Sequence, residues 1–106
     1  MSTQFDHVSV VKKANIYADG KCISHNLIFP DGTRKTVGVQ MPSTLSFGTD
    51  APEIIEIVAG QCRARIGPDG QWKSYGEGQR FQVPGASNFE MEALEPLHYV
   101  CHFGSD

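Results

Sequence analysis

Apolar side chains recur at alternate positions along most of the chain, in short runs broken by Gly, Pro and Asp-Gly pairs. A period of two is the mark of a strand with one buried face. Ten runs carry it: Asn15–Ala18, Cys22–Phe29, Arg34–Met41, Ser43–Phe47, Glu53–Val58, Gln61–Ile66, Gln71–Tyr75, Arg80–Val83, Asn88–Ala93 and Leu97–Phe103. They are rich in Val, Ile, Phe and Thr, which favour a pleated, half-buried backbone. Asp19-Gly20, Asp31-Gly32 and Asp69-Gly70 lie between such runs and predict hairpins. Pro42 would interrupt a helix, and no helical pattern stands out. Short strands with Gly and Pro turns in one small chain predict an all-β, single-domain antiparallel sandwich or barrel.

Alternation also assigns faces. Glu53, Ile55 and Ile57 share one side of their strand. Cys62, Ala64 and Ile66 oppose Arg63 and Arg65, while Phe81 with Val83, and Tyr99 with Cys101 and Phe103, face together. Ile54 and Val58 then fall outward beside Glu56, and exposed β-branched residues call for a cover, most simply a second subunit, with the N-terminal arm as the alternative. Residues 1–12 are weakly patterned apart from Val8, Val10 and Val11, and read as an N-terminal arm or added edge strand ahead of a domain at 13–106.

Composition changes little in this picture. At 106 residues, 40% hydrophobic and 20% charged, the chain suits one soluble domain. A net charge of −3 with nine scattered basic residues argues against nucleic-acid binding. No apolar run reaches the roughly 18 residues needed to span a bilayer, and the N-terminus lacks signal-peptide order, so no membrane association and a cytoplasmic location are expected. Cys22, Cys62 and Cys101 form no CxxC pair and read as buried free thiols. His98 and His102 stand four apart, but on a strand that is about 13 Å, too far to chelate one ion.

Two segments carry the more specific signal. Glu53-IIEIVA-Gly60 and Gly78-QRFQV-Pro84 resemble the paired motifs of the cupin superfamily. In metal-binding cupins histidines precede that Glu and follow that Pro; the corresponding positions are Phe47 and Thr49, or Ser46 and Gly48, and then Phe89. With no imidazole there, the donor set is one carboxylate, a hydroxyl and aromatic rings, a poor match for a borderline transition metal, so a metal-free cup is expected. Val37-Gly38-Val39, Ala51-Pro52-Glu53, Val83-Pro84-Gly85 and Tyr99-Val100-Cys101, within a likeness covering about residues 13 to 103, resemble the small pyrimidine/purine nucleoside phosphorylase family. That resemblance implies a cupin jelly roll (double-stranded β-helix). It also implies a homodimer that converts nucleosides and inorganic phosphate into free base and ribose 1-phosphate, with no cofactor beyond phosphate as co-substrate.

Such chemistry needs an anion site, a group that stabilises a cationic sugar, and a surface for the base. Glu53, at the motif position that points into the barrel, is the candidate for the sugar. Ser46 and Thr49 offer hydroxyls and Gln40 an amide, while Phe47, Phe89 and Tyr99 offer a platform for any base. Arg80, with Arg63 and Arg65 behind it, is the candidate phosphate site, although alternation turns all three toward solvent. The competing readings are a small-molecule or sugar-binding cupin module without chemistry, and a metal-dependent cupin enzyme, which the missing histidines oppose.

Overall fold

A computed structural model describes residues 3–104; positions 1, 2, 105 and 106, at the ends of the expected arm and domain, lie outside the described residues. Eleven strands follow in order: β1 (Ser9–Val10), β2 (Asn15–Tyr17), β3 (Cys22–Ile28), β4 (Arg34–Gln40), β5 (Ser43–Gly48), β6 (Glu53–Ala59), β7 (Gln61–Ile66), β8 (Lys73–Gly76), β9 (Arg80–Val83), β10 (Asn88–Ala93) and β11 (Leu97–Phe103). Among the described residues the one helical element is a 3-10 turn at Ala18–Gly20. All three Asp-Gly pairs join antiparallel neighbours, β2 to β3, β3 to β4 and β7 to β8. Strand β8 begins later than its apolar pattern suggests. Trp72 lies outside it, its ring near the guanidinium groups of Arg63 and Arg65, at 5.2 and 5.0 Å.

The larger sheet runs β1-β3-β4-β11-β6-β9, and the smaller one β5-β10-β7-β8. Strands β2 and β1 share the remaining edge of β3, β2 along Cys22–Ser24 and β1 along Leu27–Ile28. The inner faces meet in one core, with Ile55, Ile57, Phe81 and Tyr99 from the larger sheet against Cys62, Ala64, Phe89 and Met91 from the smaller. Two antiparallel sheets closed face to face over such a core are the jelly roll of a cupin, in agreement with the motif pair.

Close packing explains two motif glycines. A Cβ at Gly38 would stand 2.7 Å from the Ile23 carbonyl oxygen and 2.9 Å from the Tyr99 hydroxyl, so only hydrogen fits. At Gly85 the same atom would lie 2.8 Å from the Asp50 carbonyl oxygen, where the turn after β9 presses on the loop before β6. The Ala86 amide donates to that oxygen at 3.0 Å. Thr49 completes the clasp: its hydroxyl donates to the Pro84 carbonyl at 2.7 Å and accepts from the Ser87 amide at 3.0 Å.

One packing expectation is corrected. Ile54 does point away from the core, yet it is only 3% exposed within the single chain. Its register neighbours Gln82 and His102 flank it, and Pro52 and Pro84 border the same hollow. Long polar side chains lying across an apolar neighbour give it this shelter, so Ile54 needs no second subunit as its cover. Val58 remains 43% exposed.

Candidate active site

Strand register arranges the inner face of the larger sheet in rows. At the rim Phe103 pairs with Glu53, and Glu53 with Val83, while the Arg34 guanidinium stands 4.0 Å from the centre of the Phe103 ring. One row deeper come Asn26, Thr36, Cys101 and Ile55; below them lie Asn15, Ser24, Gly38 and Tyr99. Across from these rows the smaller sheet presents Phe47 and Phe89, paired in register and stacked with ring centres 5.4 Å apart. Tyr17 meets Phe47 edge-on at 6.0 Å and borders the mouth. Between the walls lies a cavity of about 400 Å³, within the range of small-molecule sites.

The lining holds one acidic and one basic side chain, Glu53 and Arg34. Burial raises the Glu53 carboxyl above its ordinary range; the Cys101 thiol, donating to Oε1 at 3.3 Å, and the charge of Arg34 oppose that rise, and Asp50 adds to it. Desolvation, then the neighbouring Glu53, drives the Cys101 thiol far up, so it stays protonated and serves as a donor. The Tyr99 hydroxyl is likewise held neutral by burial, 3.2 Å from the Cys22 sulfur. Away from the cavity, burial alone pushes Cys62 up to about 11. None of the three thiols has the lowered pKa of a nucleophile.

Of the residues singled out from sequence, Glu53, Phe47, Phe89 and Tyr99 converge on this cavity, and Ser46 borders it from the outward row it shares with Glu90. Gln40 does not reach it. That side chain is fully buried, and its amide donates to the Met91 carbonyl at 2.9 Å and the Ser43 carbonyl at 3.2 Å, bracing the turn between β4 and β5. Thr49 is also absent from the lining, its hydroxyl engaged by Pro84 and Ser87. The three candidate phosphate arginines lie outside the cavity. Arg63 pairs with Glu92, Arg65 with Glu90 and Arg80 with Glu56, on outward faces where each cation is already matched. His102 points outward between Glu56 and Lys35, each 2.8 Å away, and His98 is exposed. Sequence reasoning missed Arg34, Asn15, Asn26, Thr36 and Tyr17, although the alternation that turns Gly38 inward turns Arg34 and Thr36 inward too.

The family model described as pyrimidine/purine nucleoside phosphorylase matches residues 12–103. The chain belongs to this family. Every residue lining the cavity falls inside the matched span. A pyrimidine/purine nucleoside phosphorylase of Cupriavidus metallidurans is 62% identical over 102 residues, covering 96% of this chain and 99% of that protein. One from Dechloromonas aromatica is 60% identical with the same coverage. A crystal structure of a protein of unknown function from Acinetobacter sp. ADP1 superposes with a TM-score of 0.93 at 49% identity, covering 96% of this chain and 99% of the other. Family membership therefore spans the fold and the whole cavity together.

Proposed function

We propose that this chain is a pentosyltransferase that cleaves purine and pyrimidine nucleosides with inorganic phosphate, giving free base and ribose 1-phosphate. The observation that carries the reading is a single half-buried carboxylate, Glu53, facing a wall of stacked aromatic rings in one cavity of a chain from this family. A phosphate oxygen bonds to C1′ as the C1′–N bond breaks. The electron pair of that bond leaves on the base, and the proton of hydrogen phosphate ends on the base nitrogen. Positive charge builds on the sugar between these events, and a carboxylate in a site of low dielectric stabilises it more strongly than water does. Glu53 also accepts hydrogen bonds from ribose hydroxyls. Phe47 and Phe89 hold the base by its π face, which every purine and pyrimidine possesses.

The scheme is built from side chains and phosphate, with no resident cofactor. It suits a cytoplasmic homodimer: Ile16, Ile23 and Val58, at 66%, 40% and 43% exposure, lie on the outward side of the larger sheet and offer an apolar face to a second copy. Among the described residues no helix is long and apolar enough to cross a membrane. Sedimentation of the purified protein should give twice the chain mass of 11.6 kDa. Activity is tested by incubating it with uridine or adenosine, with and without phosphate. Base release from both, only with phosphate and accompanied by ribose 1-phosphate, is expected. Tight nucleoside binding without turnover would instead make the cup a binding module.

A further inference from the structure

The chain has four arginines, and the structure sorts them unequally. Arg63, Arg65 and Arg80 each face a glutamate. Among the described residues Arg34 has no carboxylate within ion-pair distance. Two neutral groups hold it instead: Asn26 Oδ1, which accepts from its Nη1 at 3.0 Å, and the Phe103 ring beneath the guanidinium. Those contacts fix the orientation of the group and, among the described residues, leave it without an ion-pair partner at the rim of the cavity. Asn15 Nδ2 donates to the same Oδ1 at 3.4 Å, so two donors share the Asn26 oxygen, and both asparagines line the cavity beside the guanidinium. A planar guanidinium beside an amide N–H group suits a tetrahedral oxyanion, which accepts from both at once.

Position agrees with chemistry. Arg34 and Glu53 share the rim row with Phe103 between them, two strand spacings or roughly 10 Å apart at the backbone. Displacement at C1′ requires the incoming phosphate oxygen and the departing base on opposite faces of the sugar. The Arg34 corner and the Phe47–Phe89 pair stand on opposite walls.

We propose that Arg34, with the amide of Asn26, is the phosphate-binding site, so that a nucleoside lies with its ribose at Glu53, its base against Phe47 and Phe89, and its C1′ open toward the β3–β4 corner. This assignment rests on the phosphorolysis reading. It replaces the outward arginines as the anion site, and it requires phosphate affinity and nucleoside affinity to be separable by mutation.

The test is a pair of variants, Arg34→Ala and Arg80→Ala, measured against phosphate at saturating uridine and by calorimetric titration of inorganic phosphate alone. Arg34→Ala should raise the KM for phosphate about 10- to 100-fold, the loss of a charge-assisted hydrogen bond, with the KM for uridine little changed. Arg34→Lys, which keeps charge but not the planar fork, should fall between. Arg80→Ala should match the wild type. Wild-type phosphate saturation in Arg34→Ala, or its loss in Arg80→Ala, would overturn the assignment. A wild type that binds phosphate through Arg34 yet releases no base would uphold the site and reject the reaction. A wild type with neither phosphate binding nor phosphate saturation would reject the site.

Discussion

The larger sheet faces the cavity with Arg34, Asn26, Thr36, Cys101 and Glu53, whereas the smaller one faces it with Phe47, Phe89 and Met91 and carries its own charges, Arg63, Arg65, Glu90 and Glu92, on the outside. Groups that must aim at particular oxygens sit on adjacent strands, where register fixes them against one another to within a fraction of a strand spacing. Groups that need only a flat surface sit across the gap, where a small shift of a base costs little. Direction and tolerance thus belong to different walls, an arrangement suited to an enzyme that keeps its sugar and phosphate constant while its base varies.

The contrast breaks most completely if the carboxylate is neutralised. Glu53→Gln should lower kcat/KM by about 100- to 1000-fold for every nucleoside, the scale of one lost electrostatic stabiliser. The same change should stabilise the fold at neutral pH. A carboxyl whose pKa is raised on folding favours the folded state fully only below its unfolded pKa, and that contribution is lost as pH rises through the folded value. Thermal melts of the two proteins should therefore converge near pH 4 and separate, with the variant higher, near pH 7.

Phe47→Ala tests the tolerant wall. Loss of a stacking face should weaken substrate binding by about 1–3 kcal/mol, and by similar amounts for uridine and adenosine. A loss confined to one base would show that this wall reads base identity after all. Cys101 gives a smaller and more diagnostic effect. Its thiol lowers the Glu53 carboxyl, so Cys101→Ala should move the acid limb of the pH–rate profile to higher pH, while Cys101→Ser, which keeps a donor, should leave it near the wild-type position. The least effect belongs to the outside of the smaller sheet. Arg63→Ala removes a solvent-exposed pair and should change stability by less than about 1 kcal/mol, with phosphate kinetics untouched.

Much of this fold was legible because strand alternation is a local signal. The ten expected strands correspond to β2 through β11 with shifts of no more than two residues at either end, and the short β1 falls in the expected arm. Glu53 was legible through its motif. Arg34 was not, since Thr33-Arg34-Lys35 beside an Asp-Gly turn reads as a solvated hairpin end, and its meaning depends on Phe103, which only the pairing of β4 with β11 brings alongside. Gln40 shows the opposite failure. Alternation sends it inward correctly, but depth along the barrel is not encoded in a period of two, and it lands in packed structure rather than in the cup. Ile54 fell to the same limit, because local pattern gives a direction and not the neighbours that lie across it.

Thr49 makes the cup costly to convert into a metal site. In one of the two registers that the motif resemblance allows, its position corresponds to an imidazole of metal-binding cupins, and here its hydroxyl ties the Pro84 carbonyl to the Ser87 amide. Thr49→His would remove the hydroxyl that serves this partly buried N–H and the Pro84 carbonyl, a penalty of about 1 kcal/mol per hydrogen bond, before any ion could compensate. Histidines would have to be placed at several positions together for a metal to offset the loss. An engineer who wanted a metal here would therefore have to rebuild the turn after β9 before placing the first ligand.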